Sequence, residues 1–522
     1  MKFAKLAFVF LAAFLSGIIS LSAQQFHVEK SDVFEEPSSG WNQLLQLKNG
    51  NTFFFHKEDK NGIDVTIYDK SRKVVAKKNI TSKLWDADRM DEARIKGLYE
   101  INGEPVIFLQ QSDGDKNSLY RIRLNGADGT ILKDEKVASL KGLKYEKVTV
   151  ANGYSGVNVQ KDPASDCYAL IILNFDWSSF VQTVKVQHFD GTHTLINEAD
   201  FRVTGAGFTH VIYNSALVDG NKHVYIVSCG FREKIKPSQQ LTFDQDSKFI
   251  ISKLGANEKA FTSKVMELKV ELSNGRSQML YNRKINKLQL RTISLAETKY
   301  KRMSATETRY YLSLISYLDP ETLQIEGVKP LVADKVSEYA QNHIDKDYSY
   351  SGIPERMIMN KDMTTSILME ERSSGEGRAG LGAIGVSVIS DTGGEICGYA
   401  IQKSQVMYHN VDNARYMSYD YLSSAKGNYV IFNDLATNTE KDEGDSRHKK
   451  VSAVSITNAI GCKLGNNSID KFYLFGAPQD NSCTFCYTEG TDFSDNFDTY
   501  ATVIVERNGR DKQARIAWVT FD

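Results

Sequence analysis

The sequence has few prolines and few tryptophans, 8 and 4 among 522 residues, beside 25 tyrosines and 26 phenylalanines. Scarce proline argues against a string of small domains joined by proline-rich linkers, and abundant tyrosine and phenylalanine favour β-sheet. Neither sign of charge is in excess, because 64 Lys and Arg side chains balance 65 Asp and Glu side chains. This balance argues against nucleic acid or an anionic membrane as the main partner.

Long apolar runs are absent after the first two dozen residues, so no transmembrane segment is predicted in the mature chain. The N-terminus has two early lysines, an apolar run over Leu6–Ile19 and the small residue Ala23 before two glutamines. This order is typical of a secretory signal peptide, which we assign to residues 1–23. We therefore predict export to the periplasm, or to the outer membrane and cell surface.

The sequence signatures of common enzymes are missing as well. No Gly-x-Ser-x-Gly, His-Glu-x-x-His or Walker loop occurs. The run Gly380-Leu-Gly-Ala-Ile-Gly385 matches the dinucleotide fingerprint in its letters. That chemistry needs a helix N-terminus beneath the pyrophosphate, and the residues that follow the run predict a strand. We therefore predict no cofactor.

The chain is rich in alternating, β-branched and aromatic stretches that are separated by turn residues. Residues 41–80 contain four of them: Trp41–Leu47, Thr52–Phe55, Ile63–Tyr68 and Lys73–Lys77. They predict four consecutive antiparallel strands joined by tight turns. A four-stranded meander of about forty residues is the unit that propellers repeat around an axis.

The second hairpin of this unit recurs along the chain. After Ile63, copies begin at Leu119, Val184, Val265, Tyr310, Ile384, Val451 and Ala501. Eight copies predict an all-β fold, a β-propeller of four-stranded blades over residues 41–522, with eight blades favoured over seven. Two stretches, Leu84–Ile95 and Asp334–Ile344, have helical spacing and predict short helices between blades.

Residues 24–40 form an N-terminal segment between the signal peptide and the first blade. Within it, Gln25–Glu29 alternates weakly between polar and apolar residues. An open ring would expose sheet edges, so we predict that this stretch adds a ring-closing strand to the last blade.

In this repeating pattern the chain resembles secreted bacterial β-propeller proteins. The resemblance covers nearly the whole mature chain and implies the fold. It indicates no subfamily, because a Trp-Asp dipeptide does not recur at the blade ends, and the Asp-box of sialidases and the Trp-docking repeat of quinoproteins are missing. The fold alone implies no function.

Cys483-Thr-Phe-Cys486 is the sharpest local motif. A thioredoxin-like site would require a helix after a strand, and zinc would require a second close pair of ligands. The neighbouring residues predict a turn and a strand instead. Because an exported chain permits disulfides, we predict a structural disulfide between Cys483 and Cys486. A straight strand would direct the two side chains to opposite faces, so the disulfide requires a turn or bulge.

Three other polar groups are weaker candidates. His188 and His193 flank a turn, but a metal would need a third ligand that the neighbouring sequence does not offer. Asp113–Asn117 begins like a calcium loop and lacks its glycine and glutamate, while Asp492–Asp498 is acidic without a loop pattern. We predict surface histidines, solvated connections and no metal. Among 65 acidic residues, no glycosidase pair of carboxylates can be singled out.

Three classes of function are compatible with these features. The first is a non-catalytic platform for protein–protein interaction in the bacterial cell envelope, with envelope proteins as partners. The second is a glycan-binding or glycan-cleaving propeller with its ligand over the central channel. The third is a redox or metal protein that uses the two close cysteines. We predict the first, because it alone requires no missing motif.

The charged insertion Asn433–Lys450 is the predicted partner-contact loop, because side chains on surface insertions are free of packing duties. A solvated loop without a partner is an equal alternative. The charged residues in question are Glu440, Asp442, Glu443, Arg447, Lys449 and Lys450.

Overall fold

The computed structural model describes residues 26–113, 116–140, 156–176, 181–201, 203, 207–208, 210–231, 248–266, 277–295, 311–375, 378–408, 414–439, 448–479 and 482–521. Strands within these ranges form eight antiparallel sheets, which are the blades of an eight-bladed β-propeller. The predicted all-β class and the number of blades are therefore confirmed.

Each blade is a meander of four strands, numbered here in chain order. Blade 1 contains β2 (Trp41–Gln46), β3 (Thr52–Lys57), β4 (Ile63–Tyr68) and β5 (Val74–Ile80). Blade 2 contains β6 (Ala93–Ile101), β7 (Glu104–Asp113), β8 (Lys116–Leu124) and β9 (Ile131–Leu140). Blade 3 contains β10 (Gly156–Lys161), β11 (Tyr168–Asp176), β12 (Val181–Phe189) and β13 (Leu195–Phe201). Blade 4 contains β14 (His210–Asp219), β15 (His223–Phe231), β16 (Lys248–Gly255) and β17 (Thr262–Val265).

The second half of the ring follows the same order. Blade 5 contains β18 (Ser277–Asn282), β19 (Lys287–Leu295), β20 (Tyr311–Leu318) and β21 (Ile325–Leu331). Blade 6 contains β22 (Ile353–Met359), β23 (Thr365–Gly375), β24 (Arg378–Ile389) and β25 (Glu395–Ile401), with β26 (Gln405–Tyr408) added beside β24. Blade 7 contains β27 (Asp420–Ser424), β28 (Gly427–Asp434), β29 (Asn458–Leu464) and β30 (Ile469–Tyr473). Blade 8 contains β31 (Ser482–Cys486), β32 (Asp492–Ser494), β33 (Thr499–Asn508), β34 (Asp511–Phe521) and β1 (Phe26–Lys30).

Helices occur only in the connections of the described chain. They are α1 (Asp334–His343), α2 (Ala436–Thr439) and three 3₁₀ turns at Met90–Glu92, Ala414–Tyr416 and Val454–Ile456. None of the helices in these ranges is long and apolar enough to cross a membrane.

Middle strands read as continuous apolar runs because both of their faces are covered by neighbouring blades. On β3, Phe53 and Phe55 lie in the core between blades 1 and 2, whereas Phe54 points to the other face and packs between blades 1 and 8. All three side chains are buried. Consecutive aromatic residues therefore serve two interfaces, which explains the uninterrupted run in the sequence.

The first strands of the blades surround the central axis. The first strand of each of blades 1 to 5 contacts the first strand of the next blade, and β32 of blade 8 contacts β2 of blade 1. Side-chain amides reinforce these contacts between blades. Gln278 on β18 donates to the carbonyl of Met357 at 2.7 Å and accepts from the amide of Met357 at 2.6 Å. The first strands of neighbouring blades are not paired in one sheet. A side-chain amide of this kind therefore supplies the hydrogen-bond partner that the backbone of the next blade does not.

β1 closes the ring as the fourth strand of blade 8. It pairs antiparallel with β34, from Phe26 opposite Phe521 to Lys30 opposite Ala517. The side chain of Ser31 continues this contact by accepting a bond of 2.9 Å from the amide of Ile516.

The two faces of the ring differ in their connections. The lower face carries the turns between first and second strands and between third and fourth strands. These turns are short, and several are capped by aspartate: Oδ1 of Asp190 accepts from the amides of Thr192 and Thr194, both at 2.9 Å. The upper face carries the links between blades and the connections between second and third strands.

Some predictions of local structure need correction. Asp334–His343 is helical as predicted, but Leu84–Ile95 contains only the 3₁₀ turn Met90–Glu92 before β6 begins. Pairing with β7, which sets Ala93 opposite Gln111, overrides the helical spacing there.

Two of the eight predicted hairpins were placed wrongly along the chain. The last two strands of blade 4 are β16 and β17, so the copy expected to begin at Val265 starts where β17 ends. In blade 7 the predicted turn at 458–461 lies inside β29. Both errors fall beside long connections of the upper face, where the spacing between copies is irregular.

Candidate functional site

The predicted disulfide between Cys483 and Cys486 is wrong, and no disulfide occurs among the described residues. Both residues lie on the regular strand β31, where an offset of three residues directs side chains to opposite faces. Cys483 packs in the core between blades 8 and 1, and Cys486 packs in the core between blades 7 and 8. Burial raises the pKa of both thiols, which disfavours the reactive thiolate.

His188 and His193 do not share a site. His188 bonds through Nε2 to the carbonyl of Gly220 at 2.9 Å, whereas Nδ1 of His193 lies 3.0 Å from the hydroxyl of Tyr168. Both side chains are buried, so the predicted surface position is incorrect. Burial is the main cause that lowers the pKa of each imidazole, to about 4 for His193.

The glycine-rich run lies inside β24, and its glycines make room for side chains. A Cβ on Gly385 would collide with the ring of Tyr350. A Cβ on Gly382 would lie 2.9 Å from Cβ of Glu371. The spacing that resembles a dinucleotide fingerprint therefore arises from side chains lying against a strand.

The other acidic candidates have separate roles. Asp113 pairs with Lys116 in a tight hairpin between β7 and β8. Asp495 forms an ion pair of 2.7 Å with Lys361 of blade 6, and Oδ2 of Asp498 accepts from Ser424 of blade 7 at 2.7 Å, so both join blade 8 to other blades. No group of three metal-ligating side chains occurs among the residues that the structure describes.

Asp492 stands apart, because it lies on the first strand of blade 8 at the wall of the central channel. Its Oδ2 accepts from the amide of Gln46 at 2.6 Å. Burial raises the pKa of this carboxyl to about 7.

Residues 440–447 of the predicted contact loop lie outside the described residues, among them Glu440, Asp442, Glu443 and Arg447. Its base is ordered by Asn438, whose side chain accepts from the amide of Lys449 at 2.8 Å and donates to its carbonyl at 2.7 Å. Asn438 is itself held by Oδ1 of Asp434, also at 2.8 Å. Lys450 is exposed beside this clamp.

A buried ion pair on the upper half of blade 6 is absent from the sequence predictions. Nζ of Lys403 lies 2.7 Å from Oε1 of Glu370, and neither side chain has any exposed surface. The same carboxylate oxygen accepts from Ser418 at 3.0 Å. Burial lowers the pKa of Lys403. The two residues are 33 positions apart and belong to no motif, so the sequence gives no signal for this pair.

From the ion pair a chain of hydrogen bonds runs into blades 7 and 8. Lys403 donates to Oε1 of Gln405 at 3.2 Å, and Nε2 of Gln405 donates to the carbonyl of Asn433 at 2.9 Å. The side chain of Asn433 accepts from the amide of Cys486 at 2.9 Å and donates to its carbonyl at 2.7 Å. Three blades are thus joined through buried polar groups, an arrangement that fixes one packing of the blades.

At the other end of this series of hydrogen bonds, Arg372 bridges two carboxylates. Its Nη2 lies 2.6 Å from Glu355 and 3.1 Å from Glu370. Burial raises the pKa of Glu355. Two nearby carboxylates are what a glycosidase uses, but they must flank the glycosidic bond. Here a guanidinium occupies the space between them, so the arrangement serves to orient Arg372 and the strand that carries it.

The upper face of blade 6 projects beyond its sheet. β22 pairs with β23 only as far as Glu370, yet β23 and β24 continue together to Gly375 and Arg378. β26 pairs with the same end of β24, from Leu381 to Arg378. We call this three-stranded projection (372–375, 378–381 and 405–408) the blade-6 ribbon.

Comparisons with known proteins extend only to the fold. No protein-family model and no curated protein matches the chain. The chain is similar to the Dos1 propeller, with 8% identity, a TM-score of 0.44 and 94% of each chain covered. It is also similar to the polysaccharide lyase Uly1, with 9% identity, a TM-score of 0.42, and 82% of this chain and 90% of that chain covered.

The β-propeller domain of the Trilobed protease from Pyrococcus furiosus is a third similar structure. It has 8% identity and a TM-score of 0.34, with 82% of this chain and 93% of that chain covered. At such identities the likeness concerns the arrangement of sheets. It carries nothing about ligand, substrate or partner.

Proposed function

We propose that this chain is a non-catalytic platform of the bacterial cell envelope whose upper face binds a protein partner. The blade-6 ribbon is the observation that carries the proposal. Ring formation needs four strands per blade, and the ribbon adds length and a fifth strand that the ring does not use. The tip of the ribbon, residues 372–375 and 378, is exposed and adds nothing to the core, so a binding role is the simplest explanation for it.

The ribbon is held firmly on one side. The amide of Val406 on β26 donates to the carbonyl of Val451 at 2.9 Å, and the amide of Val451 donates to Ser404 at 2.8 Å. Gln405 is buried in the chain of hydrogen bonds that starts at Glu370. A partner would therefore meet a preorganised surface, which lowers the entropic cost of binding.

The opposite edge of the ribbon is open. Gly375 and Arg378 pair with two residues between them, so they form a hydrogen-bonded pair. Along β23 the backbone groups of alternate residues then face away from β24. Arg372 and Ser374 consequently direct their backbone N–H and C=O groups away from β24. Within the described chain, no backbone group pairs with them there. Open edges of this kind are where extended segments of other proteins add to a sheet.

Exposed apolar side chains lie on neighbouring connections of the same face. Tyr408 ends β26 with 36% of its surface exposed, and Ile456 on the link before β29 is 56% exposed. Large apolar side chains beside a polar rim are typical of protein-binding surfaces.

The test is co-purification of partners from detergent-solubilised envelopes of the native host. The double variant Tyr408→Ser and Ile456→Ser should lose a stoichiometric partner that the wild type retains. Phe497→Ser is the matched control, because Phe497 is 43% exposed on the lower face and should leave recovery unchanged. Equal loss in both variants, or no stoichiometric partner for the wild type, would contradict the proposal.

The charged insertion requires its own variant. Replacing residues 440–447 by a Gly-Ser linker keeps Asn438 and Lys449, so the clamp at the base of the loop remains. If this loop contacts the partner, recovery should fall most steeply at high salt, because exposed charges are screened there. Undiminished recovery would restrict the contact to the ribbon and its neighbours.

A further inference from the structure

A β-bulge places Lys96 on the wall of the central channel. β6 pairs with β7 through Ile95 opposite Leu109 and Gly97 opposite Phe108, so Lys96 is the extra residue between two pairs. Bulges redirect a side chain and occur frequently beside functional sites. The strand that carries this bulge is the first strand of blade 2 and lies against β10, the first strand of blade 3.

Gly156 of blade 3 lies close to Lys96 and to Gln110. Gly156, the first residue of β10, has a φ of +129°, a region that favours glycine. A Cβ on Gly156 would lie 3.8 Å from Nζ of Lys96 and 3.5 Å from Oε1 of Gln110. The amine of Lys96 and the amide oxygen of Gln110 therefore both lie next to the same point, where Gly156 has no side chain.

Two buried acceptors on blade 2, one of them next to this point, have no donor among the described residues. Gln110 and Asn117 are each 8% exposed. Gln110 shares a face with Ser112, and Asn117 pairs opposite Ser112, so all three lie on the face of blade 2 that packs against blade 3. Within the part of the chain that the structure describes, Oε1 of Gln110 and Oδ1 of Asn117 accept no hydrogen bond. Buried acceptors are nearly always satisfied in folded proteins, so this pair calls for a donor from outside the chain.

The charge on Lys96 is uncompensated in the same way. None of the ion pairs within the described ranges involves it, and Arg94 adds a second positive charge on the same strand. Burial, and then the charge of Arg94, lower the pKa of Lys96. A partly buried ammonium is stabilised by an anion placed against it.

We propose that Lys96, Gln110 and Asn117 bind a small hydroxy acid, with its carboxylate at Lys96 and its hydroxyl groups donating to the two amide oxygens. This chemistry is found both in free hydroxy acids and in the uronic acid units of acidic sugars. A sulfate ion would satisfy Lys96 and offer no donors to the amides. A neutral sugar would offer donors and leave the ammonium without an anion. The inference is independent of the platform on the upper face.

Calorimetric titration of the mature chain at pH 7 tests the site with four probes: D-glucuronate, D-glycerate, D-glucose and inorganic sulfate. Both hydroxy acids should bind saturably, and roughly tenfold tighter than glucose or sulfate, the factor expected from one charge-assisted hydrogen bond. Tighter binding of glucuronate than of glycerate assigns the site to acidic sugars, and the reverse assigns it to free hydroxy acids.

Variants separate this site from adventitious binding. Lys96→Gln and Gln110→Leu should each weaken binding of the preferred hydroxy acid by roughly tenfold. Lys78→Gln, on the outer strand of blade 1, is the control and should leave binding unchanged. Thermal melts should show that Gln110→Leu is folded, because it removes an unsatisfied acceptor. Equal binding of sulfate, unchanged affinity in Lys96→Gln, or no binding of either hydroxy acid would each overturn the proposal.

Discussion

Replacing Lys403 by methionine tests the energetic role of the buried ion pair in blade 6. The substitution keeps the length of the side chain and leaves the carboxylate of Glu370 without its closest cation, in a position with no exposed surface. Breaking a buried pair by removing one partner costs about 3–5 kcal/mol. Glu370 retains Ser418 at 3.0 Å and Arg372 at 3.1 Å, so we expect a loss near the lower limit, about 3 kcal/mol.

Urea unfolding followed by circular dichroism measures this loss from the shift in midpoint. The double variant Glu370→Met and Lys403→Met should recover most of the stability, because it leaves no uncompensated charge. Lys287→Met is a matched control on a partly exposed pair, with Lys287 and Glu326 2.8 Å apart, and should cost about 1 kcal/mol or less. A loss below about 1 kcal/mol in Lys403→Met, or a double variant no more stable than the single one, would refute the reasoning.

Four further outcomes can be measured. Asp492 has a folded-state pKa of about 7, above its unfolded value near 3.9. The wild type should therefore lose stability as pH rises from about 4 to about 7, at up to about 1.4 kcal/mol per pH unit, and level off above that. Asp492→Asn should lose less over the same range in the same urea titrations. Asn433→Ala should lower the free energy of unfolding by about 2 kcal/mol or more, since it leaves the amide and carbonyl of Cys486 unpaired, and an unchanged midpoint would exclude this role. Deleting residues 26–30 should lower the Tm in calorimetry, because β34 loses its outer partner, and an equal Tm would contradict ring closure by β1. Mass spectrometry of alkylated, unreduced peptides should find thiols at Cys483 and Cys486, and a disulfide-linked mass would contradict their opposite orientation.

The number of blades could be predicted from the sequence because each blade repeats the same pattern of strand and turn. Aspartate caps such as Asp190 and aromatic runs such as Thr52–Phe55 reflect local rules that act within a few residues. The error at Leu84–Ile95 arose where helical spacing competes with strand pairing, and pairing depends on β7 lying alongside. Local sequence patterns predict strands and helices, whereas pairing with a neighbouring strand decides between the two where both are compatible with the pattern.

The cysteine pair shows how a general expectation displaced a local rule. Strand geometry alone predicts opposite faces for Cys483 and Cys486, and the structure has them so. Expected export favoured the disulfide, but a compartment permits a bond without bringing two side chains together.

The principal polar sites could not be predicted, because the packing of blades assembles them. Glu370, Lys403 and Asn433 come from a second strand, a link between blades and a second strand of the next blade. Each is an ordinary charged or polar residue in the sequence. The bulge at Lys96 likewise depends on the register between β6 and β7, and a difference of one residue in pairing has no signature in composition.

Ring closure by the first described strand has a consequence for folding. β1 precedes every other strand of the described residues, and its partner β34 ends at Phe521, so the pairing joins segments almost 500 residues apart (Phe26 opposite Phe521). The entropy lost on closing a loop grows only as about (3/2)RT ln n, so the thermodynamic penalty for so distant a pairing is modest. The effect on the rate of folding is larger than this penalty, because contacts between distant segments form slowly. During synthesis β1 has no edge to join until β34 emerges, and a chain truncated within β34 leaves blade 8 incomplete and β1 without its partner.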